Sequence, residues 1–173
     1  MNKIALCLFL LFSGTHLQAQ MLPVISAENI FNKNFNLPAD LKGKFSLLCF
    51  ASSSKAQGDL ESWLDPVYQK YIAKTGLMDD MFDVNVYFIP VLTGTNFSFA
   101  ASMKKKFYEN SQEDLRPHIL FCKEEGKGII ASLNMQKSDI PYFFLLDKEG
   151  KIIYRTTGRF TEEKFDSIDD LIE

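Results

Sequence analysis

The sequence predicts an α/β domain on a central mixed sheet, with a parallel half, a C-terminal antiparallel hairpin and helices on both faces. Three observations lead there. Apolar runs of strand length alternate with segments of helical period between residues 45 and 133. Two more apolar runs, Tyr142 to Leu146 and Lys151 to Tyr154, flank the turn Asp147-Lys148-Glu149-Gly150. The chain then closes with the signals of a capped amphipathic helix from Thr161 onward.

Each element has its own warrant. Phe45 to Ala51 is a continuous apolar run after a Lys42-Gly43-Lys44 turn and reads as a buried strand. Leu60, Trp63, Leu64, Val67, Tyr68, Tyr71 and Ile72 recur at three- and four-residue steps, the stripe of a helix that Pro66 should kink or locally open. Val84 to Leu92 is β-branched and aromatic and predicts a second buried strand. A helix is expected over 97–109, a strand at 118–122 and a helical turn near Ile129 to Leu133. This order argues for a largely parallel sheet with right-handed crossovers. In the last helix Thr161 is the N-cap, Glu162 and Glu163 face the helix N-terminus, and Phe160 with Phe165 forms a hydrophobic staple.

Met1-Asn2-Lys3, an apolar run from Ile4 to Phe12 and a small residue at Ala19 read as a signal peptide over 1–19. That run is too short to span a bilayer, which takes about 20 apolar residues. A periplasmic or secreted protein is therefore expected, with a loose lead over 20–35 and one domain over 36–173. Without Lys3, 18 basic residues face 22 acidic ones, a net charge of about −4. That surface offers no footprint for nucleic acid.

Cys49 and Cys122 both lie inside strand-like apolar runs and match no redox or metal spacing, so buried thiols acting as small hydrophobes are expected, with no cofactor. Ser54 stands at a strand-to-helix turn, but His118 is the only histidine after the leader and no G-x-S-x-G elbow occurs; a serine here is read as a helix cap. Met78, Asp79, Asp80, Met81 and Asp83 are read as a solvated loop rather than a metal site. Lys104-Lys105-Lys106 is read as the wet face of a helix burying Phe99, Met103 and Phe107.

The run Asp139-Ile140-Pro141-Tyr142-Phe143-Phe144-Leu145-Leu146-Asp147-Lys148-Glu149-Gly150-Lys151-Ile152-Ile153-Tyr154 resembles the thioredoxin-like superfamily in its larger bacterial form. There a cis-proline opens a hydrophobic strand that leads through a D-x-x-G turn to a return strand. The resemblance implies a cis Ile140-Pro141 bond. It also implies that the strand of Cys122 lies beyond 84–92 from that of Cys49, about 10 Å away, which is too far for a disulfide. Aligning Cys49 to Ser53 with the approach to the family's active site puts Ser54 and Gln57 where redox members carry C-x-x-C. A serine hydroxyl has neither a low pKa nor a two-electron couple, so thiol exchange and peroxide reduction lose their reactive group there. Lys44 through Phe50, Ser52, Trp63 and Phe144-Leu145-Leu146-Asp147 are further similar to the mitochondrial assembly factor for ATP synthase, which also lacks the dithiol.

The expected function is a non-catalytic polypeptide-binding or assembly module outside the cytoplasm, whose partner is a polypeptide or an envelope complex. The resemblance implies a binding face of Ser53, Ser54, Lys55 and Gln57 on one side and Ile140 and Pro141 on the other, with Trp63 or Tyr142 as neighbouring aromatics. The alternative is a divergent thiol-disulfide oxidoreductase or peroxide-reducing enzyme using Cys49 or Cys122.

Overall fold

The computed structural model describes residues 20–172; the expected signal peptide lies outside the described residues. The central sheet has five strands in the order β1-β8-β7-β4-β5: β1 (Gln20–Met21), β4 (Phe45–Ala51), β5 (Val84–Pro90), β7 (Tyr142–Leu146) and β8 (Lys151–Thr157). Beside it a smaller sheet runs β3-β2-β6, made of β2 (Ile25–Asn29), β3 (Asn34–Leu37) and β6 (Leu120–Cys122). The helices are α1 (Ser54–Val67), α2 (Gly94–Ser98), α3 (Ala100–Asn110), α4 (Lys127–Ser132) and α5 (Glu162–Ile172).

β4 organises the fold because it is apolar throughout and can bury both faces. It pairs in parallel with β5 from Phe45↔Val84 to Ala51↔Pro90, and antiparallel with β7 from Ser46↔Leu146 to Phe50↔Tyr142. Its side chains alternate between two cores, as the two-residue strand period requires. Leu48 and Phe50 join Leu37, Leu120, Leu133 and Phe144 on one face, while Leu47 and Cys49 join Trp63, Phe143 and Ile168 on the other.

Several expectations need correction. The lead over 20–35 is not loose: β2 and β3 form a hairpin whose alternating apolar residues are buried. Its turn is held by Asn29, whose Oδ1 accepts from the amides of Phe31 (2.9 Å) and Lys33 (3.0 Å), with Asn32 at φ +64°. The sheet is less parallel than the strand-helix alternation argued, because only the β4–β5 ladder and a single bridge, Phe88↔Ile119, are parallel. β6 does lie beyond β5 through that bridge, but its ladder is antiparallel to β2, with Ala27↔Cys122. The cis peptide bond among the described residues is Leu37–Pro38, so Ile140–Pro141 is trans. In that form the Pro141 carbonyl accepts from the Gly158 amide at 3.0 Å, which extends the β7–β8 pairing by one bond.

Lys104 also leaves the wet face, since its Nζ donates to Glu28 Oε1 (2.6 Å) and Asn32 Oδ1 (2.7 Å) and ties α3 to the β2–β3 hairpin. Phe99 is exposed, and the packing falls to Phe97, Met103 and Phe107. The local signals fared better. Pro66 sits near the end of α1, which passes directly into a π-helical turn over Tyr68–Ile72. The hairpin turns at Gly150, φ +88°, and the Phe160 and Phe165 rings meet at 5.7 Å.

Candidate functional site

The site grows from the end of β4. Ser53 leaves the strand extended (φ −151°, ψ 165°) and caps α1, its Oγ accepting from the Ala56 amide at 3.1 Å. The same hydroxyl donates to the Ser138 carbonyl at 2.7 Å, with Ser52 Oγ adding a weaker bond at 3.4 Å. Two residues on, Lys55 Nζ reaches Asp139 Oδ2 at 2.9 Å. The loop after β4 is thus stitched to the turn before β7 by groups on Ser138 and Asp139, the two residues preceding Ile140-Pro141. The hydrogen bond from Lys55, and then its charge, hold the Asp139 carboxyl below its usual range, and the same bond raises the Lys55 ammonium.

Of the residues expected at this face, Ser53 and Lys55 are joined through Ser138 and Asp139 to the turn that carries Ile140 and Pro141. Ser54 and Gln57 are exposed on the first turns of α1, Ile140 is half-buried and Pro141 is buried. The two aromatics are not available to a partner. Trp63 is fully buried, stacked on Phe143 at 4.2 Å with its Nε1 donating to the Gly158 carbonyl at 2.9 Å. Tyr142 is buried and its hydroxyl accepts from the Lys137 amide at 2.8 Å. The reason is the alternation along β7 and the inward stripe of α1, which leave neither ring on the surface.

The thiols lie away from this loop. Cys49 is central in β4 and fully buried, and burial pushes its thiol far up. Cys122, at the end of β6, is pushed up to about 12 by burial, with Glu124 adding to the shift. Both are free. Asp79 serves its own loop, accepting from the Gly76 amide at 2.7 Å, and among the described residues no cluster of His, Cys, Asp and Glu could hold a metal ion. His118 is engaged through Nδ1 with the Val86 carbonyl at 2.8 Å.

One feature escaped the sequence reading. A groove of about 620 Å³ opens between α1 and α3, beginning at Gln57 and floored by Phe88 and Ile119. Its signal is present in hindsight: Leu60, Leu64 and Tyr68 form a stripe at four-residue steps, offset from Trp63 and Val67, which point into the core.

A β-strand, helix, parallel strand and C-terminal antiparallel hairpin, with helices packed on the sheet, define the thioredoxin-like fold. Solved structures agree on the fold. The chain is similar to the C-terminal domain of a thiol-disulfide oxidoreductase from Bacteroides thetaiotaomicron (TM-score 0.61, 19% identity, covering 89% of this chain and 95% of that one). It is also similar to an exposed lipoprotein thioredoxin from Streptococcus pneumoniae (TM-score 0.59, 15% identity, 86% and 99% covered). A third similar structure is a member of the Sco family of cytochrome c oxidase assembly proteins (TM-score 0.59, 14% identity, 88% and 93% covered). None of the curated proteins matches the sequence at a significant level. The sequence profile of the ATP10 protein family matches residues 15–172, and the chain belongs to that family. This agrees with the sequence resemblance to the ATP synthase assembly factor. No helix among the described residues is long and apolar enough to cross a membrane.

Proposed function

We propose that this protein is a non-catalytic assembly module that binds a polypeptide partner outside the cytoplasm, using the face that redox relatives use for thiol exchange. One observation carries the reading. The loop that would hold the dithiol is built instead from Ser53, Ser54, Lys55 and Gln57 and is pinned to the Ser138–Asp139 turn by hydrogen bonds, while both cysteines sit elsewhere with raised thiols. A pinned loop beside Ile140 and Pro141 presents fixed groups to an extended segment and has no nucleophile to offer it. Membership of the ATP10 family favours a protein partner, and the apolar leader favours export.

The test is a photo-crosslinking residue placed at Lys55 and, separately, at Lys148 in the distant hairpin turn. A polypeptide adduct at Lys55 and none at Lys148, in cells producing the full chain, is the expected outcome. Equal labelling at both sites, or none at Lys55, rejects the face. Rapid labelling of the native thiols together with turnover in a dithiothreitol assay would restore the enzyme reading.

A further inference from the structure

The groove between α1 and α3 lies outside the Lys55 face, meeting it only at Gln57. Its walls are helical. Leu60, Leu64 and Tyr68 line one side, Met103 and Phe107 the other, and Phe88 lies at the base. Its volume of about 620 Å³ falls within the range of specific binding clefts, about 300–1,000 Å³, and the lining is mainly apolar with polar residues toward Asn110 and Gln112.

Three properties narrow the occupant. An extended segment needs a strand edge to satisfy its backbone; α1 and α3 offer none, and at the base the outer edge of β5 is already bridged, Phe88↔Ile119, so a segment lying on this floor must satisfy its own amides and carbonyls, as a helix does. The wall from Gln57 to Tyr68 rises about 16 Å, some three turns of a docked helix, which matches apolar anchors at i, i+4, i+7 and i+11. The rim is charged asymmetrically. On α1 the exposed Glu61 and Asp65 follow each other one turn apart, and neither has a cationic partner among the described residues; Lys106 stands on the α3 side. Asp59, the other acid of this stretch, is already paired with Arg159 at 3.3 Å. Two carboxylates bordering an apolar floor favour a partner that is basic along one flank.

We infer that this groove docks an amphipathic helix of a partner polypeptide, with apolar anchors against Leu60, Leu64, Met103 and Phe107 and Lys or Arg residues against Glu61 and Asp65. The site does not require the Lys55 face, and either can fail without the other.

The experiment uses the isotopically labelled protein and three synthetic peptides, each about 16 residues long. One carries leucines at i, i+4, i+7 and i+11 with lysines along one flank. A second replaces the lysines by glutamates, and a third scrambles the first. The lysine peptide is expected to bind with micromolar affinity and to shift the amides of residues 57–68 and 103–115. The glutamate peptide should bind at least about tenfold more weakly. The double variant Glu61→Lys, Asp65→Lys alters only exposed side chains, and its fold is checked by circular dichroism. It should reverse that preference, and Met103→Glu should lower the affinity of the lysine peptide. Failure of the lysine peptide to bind, equal binding of all three, or shifts confined to other surfaces overturns the proposal. So does concentration-dependent self-association that moves the same amides without peptide, which would make a second copy of this chain the occupant.

Discussion

Helices α1 and α3 border the same groove and are held in opposite ways. α1 buries Ala56, Leu60, Trp63 and Val67, and its first turn is tied to the Ser138–Asp139 turn. α3 has no fully buried residue; it rests on the half-buried Met103 and Phe107, with Phe107 edge-on to Phe121 at 5.6 Å and Lys104 reaching the β2–β3 hairpin. One wall is therefore part of the core and the other is laid against it. A thioredoxin-like frame can seat one helix in the core while a second, only half-buried, shapes a surface beside it.

The largest expected effect separates the two walls directly. Trp63→Ala removes a stacked, fully buried indole and should cost about 3–5 kcal/mol in a denaturant titration followed by circular dichroism. Met103→Ala on the opposite wall should cost only about 1 kcal/mol. Equal losses would mean that α3 is as deeply built into the core as α1.

Next comes the alkaline limb. The folded protein keeps the Cys122 proton from its ordinary value of 9.0 up to about 12, where an unfolded chain has released it. Stability from this group is complete below pH 9 and falls as pH rises through that window, because the unfolded state binds fewer protons there. Cys122→Ala should flatten the fall. At neutral pH, iodoacetamide should modify the native thiols at least about a hundredfold more slowly than those of the urea-unfolded chain; comparable rates would show thiols open to chemistry.

A smaller effect sharpens the assignment of the loop. Ser53→Ala deletes both the cap of α1 and the bond to Ser138 and should cost about 1 kcal/mol, whereas the exposed neighbour Ser54→Ala should leave the denaturation midpoint unmoved. The smallest is Lys55→Ala. The pair it breaks is solvent-exposed, so stability should stay at the wild-type value, while the Asp139 carboxyl, released from its cationic partner, should titrate at higher pH by NMR. An unchanged Asp139 titration would show that the two side chains do not pair in solution.

What the sequence made legible were signals contained in a few neighbouring residues. The Gly150 turn, the Thr161 start of α5 and the Phe160–Phe165 staple all followed from local chemistry, and Phe45 to Ala51 was apolar enough to announce a two-sided strand. What was lost depended on distant partners. β2 and β3 are short and half-polar, and only pairing with each other and with β6 makes them strands. Lys104 looked solvated because Glu28 and Asn32 lie far along the chain. For the candidate site, Ser53 and Lys55 were named without their partners, since Ser138 and Asp139 meet them only once β7 is in place beside β4. Trp63 was offered as an aromatic neighbour of the binding face because helical period marks an apolar stripe without saying how deep that stripe goes.

That depth has a spectroscopic consequence. Trp63 is the only tryptophan in the chain, held dry against Phe143 with its indole nitrogen on the Gly158 carbonyl between β8 and α5. A single indole in apolar surroundings emits to the blue of one in water, so one fluorophore reports whether the helix that borders the groove is seated on the C-terminal hairpin. Ligands that shift α3 alone will leave that emission unchanged, and any that move α1 will redden it.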